Sequence, residues 1–197
     1  MSKLVTFNLS KEDDSTPIIF DLTKAVEEIG VAIPSAIRFG AGWDMPEGEE
    51  KMDVDLSIAI INSAGKMVGA NLAYFKNRSI PGIELSEDDR TGDSTDGGDD
   101  EFAIVKLNEL ADGGVGVVGS LSVYEDNQGR GLSAAGSCYI RLVNEDTGDE
   151  MVRVEITDLN SDAANLIKVT TADGNIIVES IEEPIQGSLQ DVANSLT

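Results

Sequence analysis

The chain has 197 residues, 41% of them hydrophobic and only 5 of them proline, a composition that folds as one compact domain and is short for two. Its 37 Asp and Glu against 14 Lys and Arg give a net charge of -23, which repels nucleic-acid phosphates and anionic membrane surfaces and attracts cations or a basic protein partner. Histidine is absent, which removes the usual general base and the commonest transition-metal ligand, and the single cysteine, Cys138, excludes an internal disulfide.

The first residues, Met1-Ser2-Lys3-Leu4-Val5-Thr6, form no apolar run of signal-peptide length, and no stretch approaches a membrane span, so a cytoplasmic location is expected. Along the chain, short runs with period-two alternation are broken by Gly, Asn and Asp. The expected strands cover 4–9, 17–20, 35–40, 54–62, 67–75, 101–107, 115–124, 137–144, 150–157, 165–171 and 175–181. A short helix is expected near 22–29, stopped by Gly30, and a second at 189–196. In the second, Ser188 and Asp191 make a capping-box-like start, and Leu189, Val192, Ala193 and Leu196 fall on one face. Hairpin turns are expected at Asn62-Ser63-Ala64-Gly65, Glu145-Asp146-Thr147-Gly148 and Ala172-Asp173-Gly174-Asn175. The pattern predicts an all-β protein: an antiparallel β-sandwich with one or two short helices, including one at the C-terminus, as a single domain over 1–197. The Asp146-Thr147-Gly148 triplet matches an aspartic-protease motif, but it occurs once and inside a hairpin, so it is read as a turn.

Chemistry concentrates in residues 87–101, where eight acids, one base and three glycines occur in fifteen residues. Two carboxylates about 5 Å apart repel by roughly 0.8 kcal/mol even in water, a penalty that a divalent cation removes. Hard cations such as calcium take about six to eight oxygens, and glycines let the backbone curl so that carboxylates converge. The run does not fit the EF-hand spacing and leads into a strand instead of a helix. A solvated acidic loop without metal has the same composition. In Met52-Asp53-Val54-Asp55-Leu56-Ser57-Ile58-Ala59-Ile60, the residues Val54, Leu56, Ile58 and Ile60 alternate onto the core face, leaving Asp53 and Asp55 together on the other.

Taken in order, these segments resemble the TerD family of tellurium-resistance and stress-response proteins. Gly42-Trp43-Asp44 resembles the family's Gly-Trp-Asp, and Asp53-Val54-Asp55-Leu56 its Asp-x-Asp-Leu strand. Thr91-Gly92 and Gly98-Asp99-Asp100-Glu101 resemble its acidic loop. Tyr139-Ile140-Arg141 and Thr147-Gly148-Asp149-Glu150 resemble its Ala-Tyr-Ile-Arg strand and Thr-Gly-x-Glu turn. The likeness covers roughly residues 20 to 196, with Glu87 and Asp89 standing where the family has Gly and Asn, and about two extra residues after Thr91-Gly92.

The resemblance implies a β-sandwich that binds about two calcium ions through the Asp-x-Asp strand and the acidic loop. Its candidate ligands here are Asp53, Asp55, Asp88, Asp89, Asp99, Asp100 and Glu101, with Asp93 and Asp96 from the inserted part and Asp44 as a weaker candidate. Trp43 and Cys138 are read as core residues, and Arg141 and Arg153 as ion-paired cations on adjacent strands. The implied function is a non-enzymatic, calcium-binding interaction or sensor module with a protein partner. A structural or assembly component, such as a phage-encoded one, whose calcium only rigidifies a loop shares these features. A metal-dependent hydrolase is the third reading, opposed by the missing histidine and the absence of a phosphate-binding glycine loop.

Overall fold

The structure, a computed structural model, describes residues 7–8, 18–92, 98–157 and 159–197. Strands β1 (Phe7–Asn8), β2 (Ile18–Asp21), β3 (Ile37–Asp44), β4 (Val54–Ile61), β5 (Met67–Ala73), β6 (Ser79–Ile80), β7 (Ile83–Leu85) and β8 (Glu101–Val105) are followed by β9 (Gly116–Val123), β10 (Ser137–Asn144), β11 (Glu150–Glu155), β12 (Ala163–Ala172) and β13 (Asn175–Ile185). Helix α1 (Leu22–Glu28) follows β2, and α2 (Leu189–Ser195) follows β13. The strands form two sheets: sheet A in the order β1-β11-β10-β3-β8-β7-β6 and sheet B in the order β2-β13-β12-β9-β4-β5. Every strand pair among the described residues is antiparallel except β1 with β11.

The alternation of β4 does what its sequence dictates. Val54, Leu56, Ile58 and Ile60 point between the sheets and are fully buried with Phe39 and Ile140 of sheet A. Fully burying each such side chain contributes about 1.5–3 kcal/mol. The opposite face of β4 is covered as well. Ala59 and Ile61 lie with Val118, Leu72 and Leu196 under α2, whose Leu189 and Ala193 pack on them. The helix is thus a third layer on the outer face of sheet B, started by the Ser188 and Asp191 capping box that the sequence spells out. Helix α1 starts at Asp21, whose side chain accepts from the Lys24 amide, and its Leu22 and Val26 join the main core.

Two departures from the expected elements have simple causes. Strands β6 and β7 extend sheet A beyond β8, yet with two and three residues they are too short to show a period. Strand β12 begins two residues before the expected 165, and β13 continues to Ile185 beyond the expected 181, because a bulge between Asn165 and Ile167 lets the ladder resume past it. The hairpin between them matches its sequence: Asp173 and Gly174 have φ of 50 and 81, as a type I′ turn requires.

Candidate metal centre

Strand β4 begins just after Asp53, and its outer face carries Asp53 and Asp55 side by side. The Asp53 amide donates to Asn127 Oδ1 at 3.0 Å, which fixes the start of the strand. Asp55 is only 3% exposed and stands opposite Ser122 of β9. The chain leaving β7 returns over this end of sheet B and brings Asp88 to the pair. One carboxylate oxygen each from Asp53, Asp55 and Asp88 lie within 4.8 Å of one another. Asp53 Oδ1 is enclosed and accepts no hydrogen bond among the described residues.

Such an arrangement is electrostatically unfavourable by itself. Burial, and then the charge of Asp88, push the Asp53 carboxyl up to about 6. Burial, and then Asp53 and Asp88, push Asp55 up to about 7. Arg90 offsets only part of this: its Nε pairs with Asp88 Oδ2 at 3.0 Å from a largely exposed side chain. An all-oxygen, three-carboxylate set with an orphaned acceptor suits a hard divalent cation and offers no soft ligand for a transition metal.

The remaining expected ligands are close in sequence but hold other partners. Glu101, at the start of β8 in sheet A, points into the sandwich and is 2% exposed. Its Oε2 accepts from the Leu56 amide at 2.7 Å and its Oε1 from the Asp89 amide at 3.3 Å. Burial, opposed by the Leu56 hydrogen bond, raises its carboxyl to about 8. Asp89 turns its Oδ1 to the amides of Thr91 and Gly92 at 2.8 and 3.1 Å, closing a local turn. Gly92 has a φ of +55, and a Cβ there would run into the Trp43 indole.

Asp100 Oδ2 accepts from the Trp43 amide at 2.8 Å. Asp99 lies on the outer face of sheet A against Gly40, where its Oδ1 accepts from Arg141 Nε at 2.7 Å. Arg141 also reaches Glu150 at 3.0 Å; burial disfavours its charge, but these hydrogen bonds hold the guanidinium above its ordinary value. The geometry therefore gathers Asp53, Asp55 and Asp88, and does not bring Asp99 to them. Asp93 and Asp96 lie outside the described residues, and Asp44 is exposed at the end of β3.

The TerD domain family matches residues 8–196. The chain belongs to the TerD family. Among curated proteins it is similar to General stress protein 16U of Bacillus subtilis (strain 168), 27% identical over 131 residues that cover 63% of this chain and 66% of that protein. It is likewise similar to the Tellurium resistance protein TerD of Alcaligenes sp, 31% identical over 128 residues that cover 62% of this chain and 65% of that protein. The match thus spans a little under two thirds of the length of these relatives. Among solved structures, a protein of unknown function aligns with a TM-score of 0.68 at 20% identity, covering 81% of this chain and 95% of that one. A homologue of telluride resistance protein (TerD) from Streptomyces coelicolor A3(2) aligns with a TM-score of 0.66 at 16% identity, over 82% of this chain and 96% of that one. These last two likenesses concern the fold.

Other residues of this TerD-family chain fall where their chemistry puts them. Trp43 is buried, its Nε1 donating to the Met52 carbonyl at 2.8 Å. Cys138 is buried in β10, and burial pushes its thiol up to about 12. Arg153 lies 3.9 Å from the centroid of the Tyr139 ring and pairs with Glu150 at 3.0 Å. Sequence reasoning overlooked Asn127 and Ser122. Both sit at the centre only because β9 and the turn after it run beside β4, and neither has a local sequence signal. Among the described residues no helix is long and apolar enough to cross a membrane.

Proposed function

We propose that this chain is a calcium-binding, non-enzymatic interaction module of the tellurite-resistance and stress-response type, acting through a protein partner in the cytoplasm. The observation that carries the reading is the convergence of Asp53, Asp55 and Asp88 around an enclosed oxygen that accepts no hydrogen bond among the described residues. Asp53, Asp55 and Asp88 hold the first ion. A second ion, giving about two calcium ions per chain, follows from the family resemblance.

The stress and tellurium-resistance roles come from the names of the relatives. Glu101 fastens Asp89 and Arg141 fastens Asp99 without the ion, so the ion acts on the ordering of the residues around these anchors and not on the fold of the sheets. Calorimetry on chelator-stripped protein tests the reading. Calcium is expected to bind with about two equivalents and magnesium far more weakly, because an irregular carboxylate shell suits the larger ion. No heat with calcium, or equal affinity for magnesium, overturns it.

A further inference from the structure

Arg90 is the one base among residues 87–101, and it serves the metal centre directly. Its Nε pairs with Asp88 Oδ2 at 3.0 Å, and its positive charge also acts on the carboxyls of Asp53 and Asp55. Lys76 acts on Asp55 as well, but its Nζ lies over the Phe75 ring, 4.9 Å from the centroid. One guanidinium thus answers three converging carboxylates, the task a divalent cation would perform there.

The attachment of Arg90 is built so that the side chain can leave. It is 75% exposed, and an exposed ion pair is weak because both partners regain water when they separate. The backbone on either side stays in place without it. Asp89 Oδ1 accepts from the amides of Thr91 and Gly92, and Gly92 lies against the Trp43 indole, so the turn persists whichever way Arg90 points. A calcium ion among Asp53, Asp55 and Asp88 needs the charge of Asp88 that Arg90 already holds. A guanidinium about 6 Å from a dication weakens its binding by about tenfold at the dielectric of water, and by about threefold once physiological salt screens the pair.

We infer that Arg90 is a tethered counter-ion of the calcium site: it pairs with Asp88 in the metal-free protein, yields that carboxylate to calcium, and so sets the calcium concentration at which the site fills. The inference rests on the calcium reading. It has a sign that separates it from a bracing role. A brace that only held Asp88 in position would, when removed, loosen the site and weaken calcium binding. Removing a competing charge strengthens it.

Calorimetric titration of calcium into chelator-stripped wild type, Arg90→Gln, Arg90→Lys and Lys24→Gln tests it, at low salt and at about 0.5 M salt. Arg90→Gln is expected to bind calcium about three- to tenfold more tightly at low salt, with the gain shrinking at high salt. Arg90→Lys keeps the charge and should stay within about twofold of wild type. Lys24→Gln removes an equal charge at α1, beside the far edge strand of sheet B, and should also stay there. Unchanged or weaker binding in Arg90→Gln overturns the inference, as does an equal gain in Arg90→Lys or Lys24→Gln. Calcium heat in wild type with no gain in Arg90→Gln sinks the counter-ion and leaves the calcium reading intact. No calcium heat in any of the four proteins sinks the calcium reading and the inference with it.

Discussion

The Glu101 carboxylate of sheet A accepts a 2.7 Å hydrogen bond from the Leu56 amide of sheet B. Strand β5 ends at Ala73, opposite the region of Ile58, so it no longer reaches that amide, and a side chain crosses the sandwich to replace it. The same carboxylate holds the Asp89 amide at the start of the acidic turn. Glu101→Ala leaves two donors without acceptors and is expected to destabilise the protein by about 2–4 kcal/mol, several degrees of melting temperature for a domain of this size. Glu101→Gln, which keeps one acceptor, should lose roughly half as much. Differential scanning calorimetry separates the two.

Substitution of single carboxylates distinguishes ligands from anchors. Asp55→Asn, within the group of three, is expected to weaken calcium binding at least about tenfold. Asp99→Asn should act chiefly on stability, lowering it by about 1–3 kcal/mol, because among the described residues it leaves Glu150 as the one carboxylate paired with the part-buried Arg141. Calorimetric titration and thermal melts on both variants check this. Equal losses of calcium affinity would place Asp99 among the ligands.

Without metal, stability should fall as pH rises through the weakly acidic range. The carboxyls of Asp53, Asp55 and Glu101 have folded-state pKa values raised to about 6, 7 and 8. Between about pH 4 and pH 8 the folded state therefore binds more protons than the unfolded chain, and each proton lost on raising the pH removes stability. Calcium needs the ionised Asp53 and Asp55, so its stabilisation should grow over the same interval. Melting temperatures at pH 5 and pH 8, with chelator and with saturating calcium, should diverge as pH rises.

Calcium at a hundredfold excess over its dissociation constant adds about 2.7 kcal/mol to the folded state, several degrees for a chain of this length. Chelation should loosen the amides of 86–92 in hydrogen exchange while β10, in the middle of sheet A, stays protected. A melting temperature indifferent to calcium would remove the metal from the functional reading.

Cys138 should resist alkylation at pH 8 in the native protein and react at once in denaturant, since the thiol is enclosed and its pKa is raised to about 12. Mass spectrometry after brief iodoacetamide treatment measures it.

The sandwich was legible because Val54, Leu56, Ile58 and Ile60 repeat at the strand period, and α2 because Ser188 and Asp191 write its cap. What sits on the outer face of β4 was not, since Ser57, Ala59 and Ile61 look alike whether solvent or a helix covers them. The acidic loop announced a cation site without saying which acids converge. Asp99, Asp100 and Glu101 are consecutive, but the chain bends at Asp100 just before β8 begins, so they turn to different sides: one to Arg141, one to the Trp43 amide, one into the interior. Adjacency in sequence gives them equal standing, and the bend separates them.

Trp43 is the only tryptophan of the chain, and its indole is wedged between Gly92 of the acidic turn and the Met52 carbonyl beside Asp53. The molecule thereby carries a single intrinsic fluorophore at the junction of strand and loop. Any rearrangement of the turn must alter the packing or polarity around that ring, so emission wavelength and quenching become a direct optical record of the loop, with no label attached and no second tryptophan to blur it.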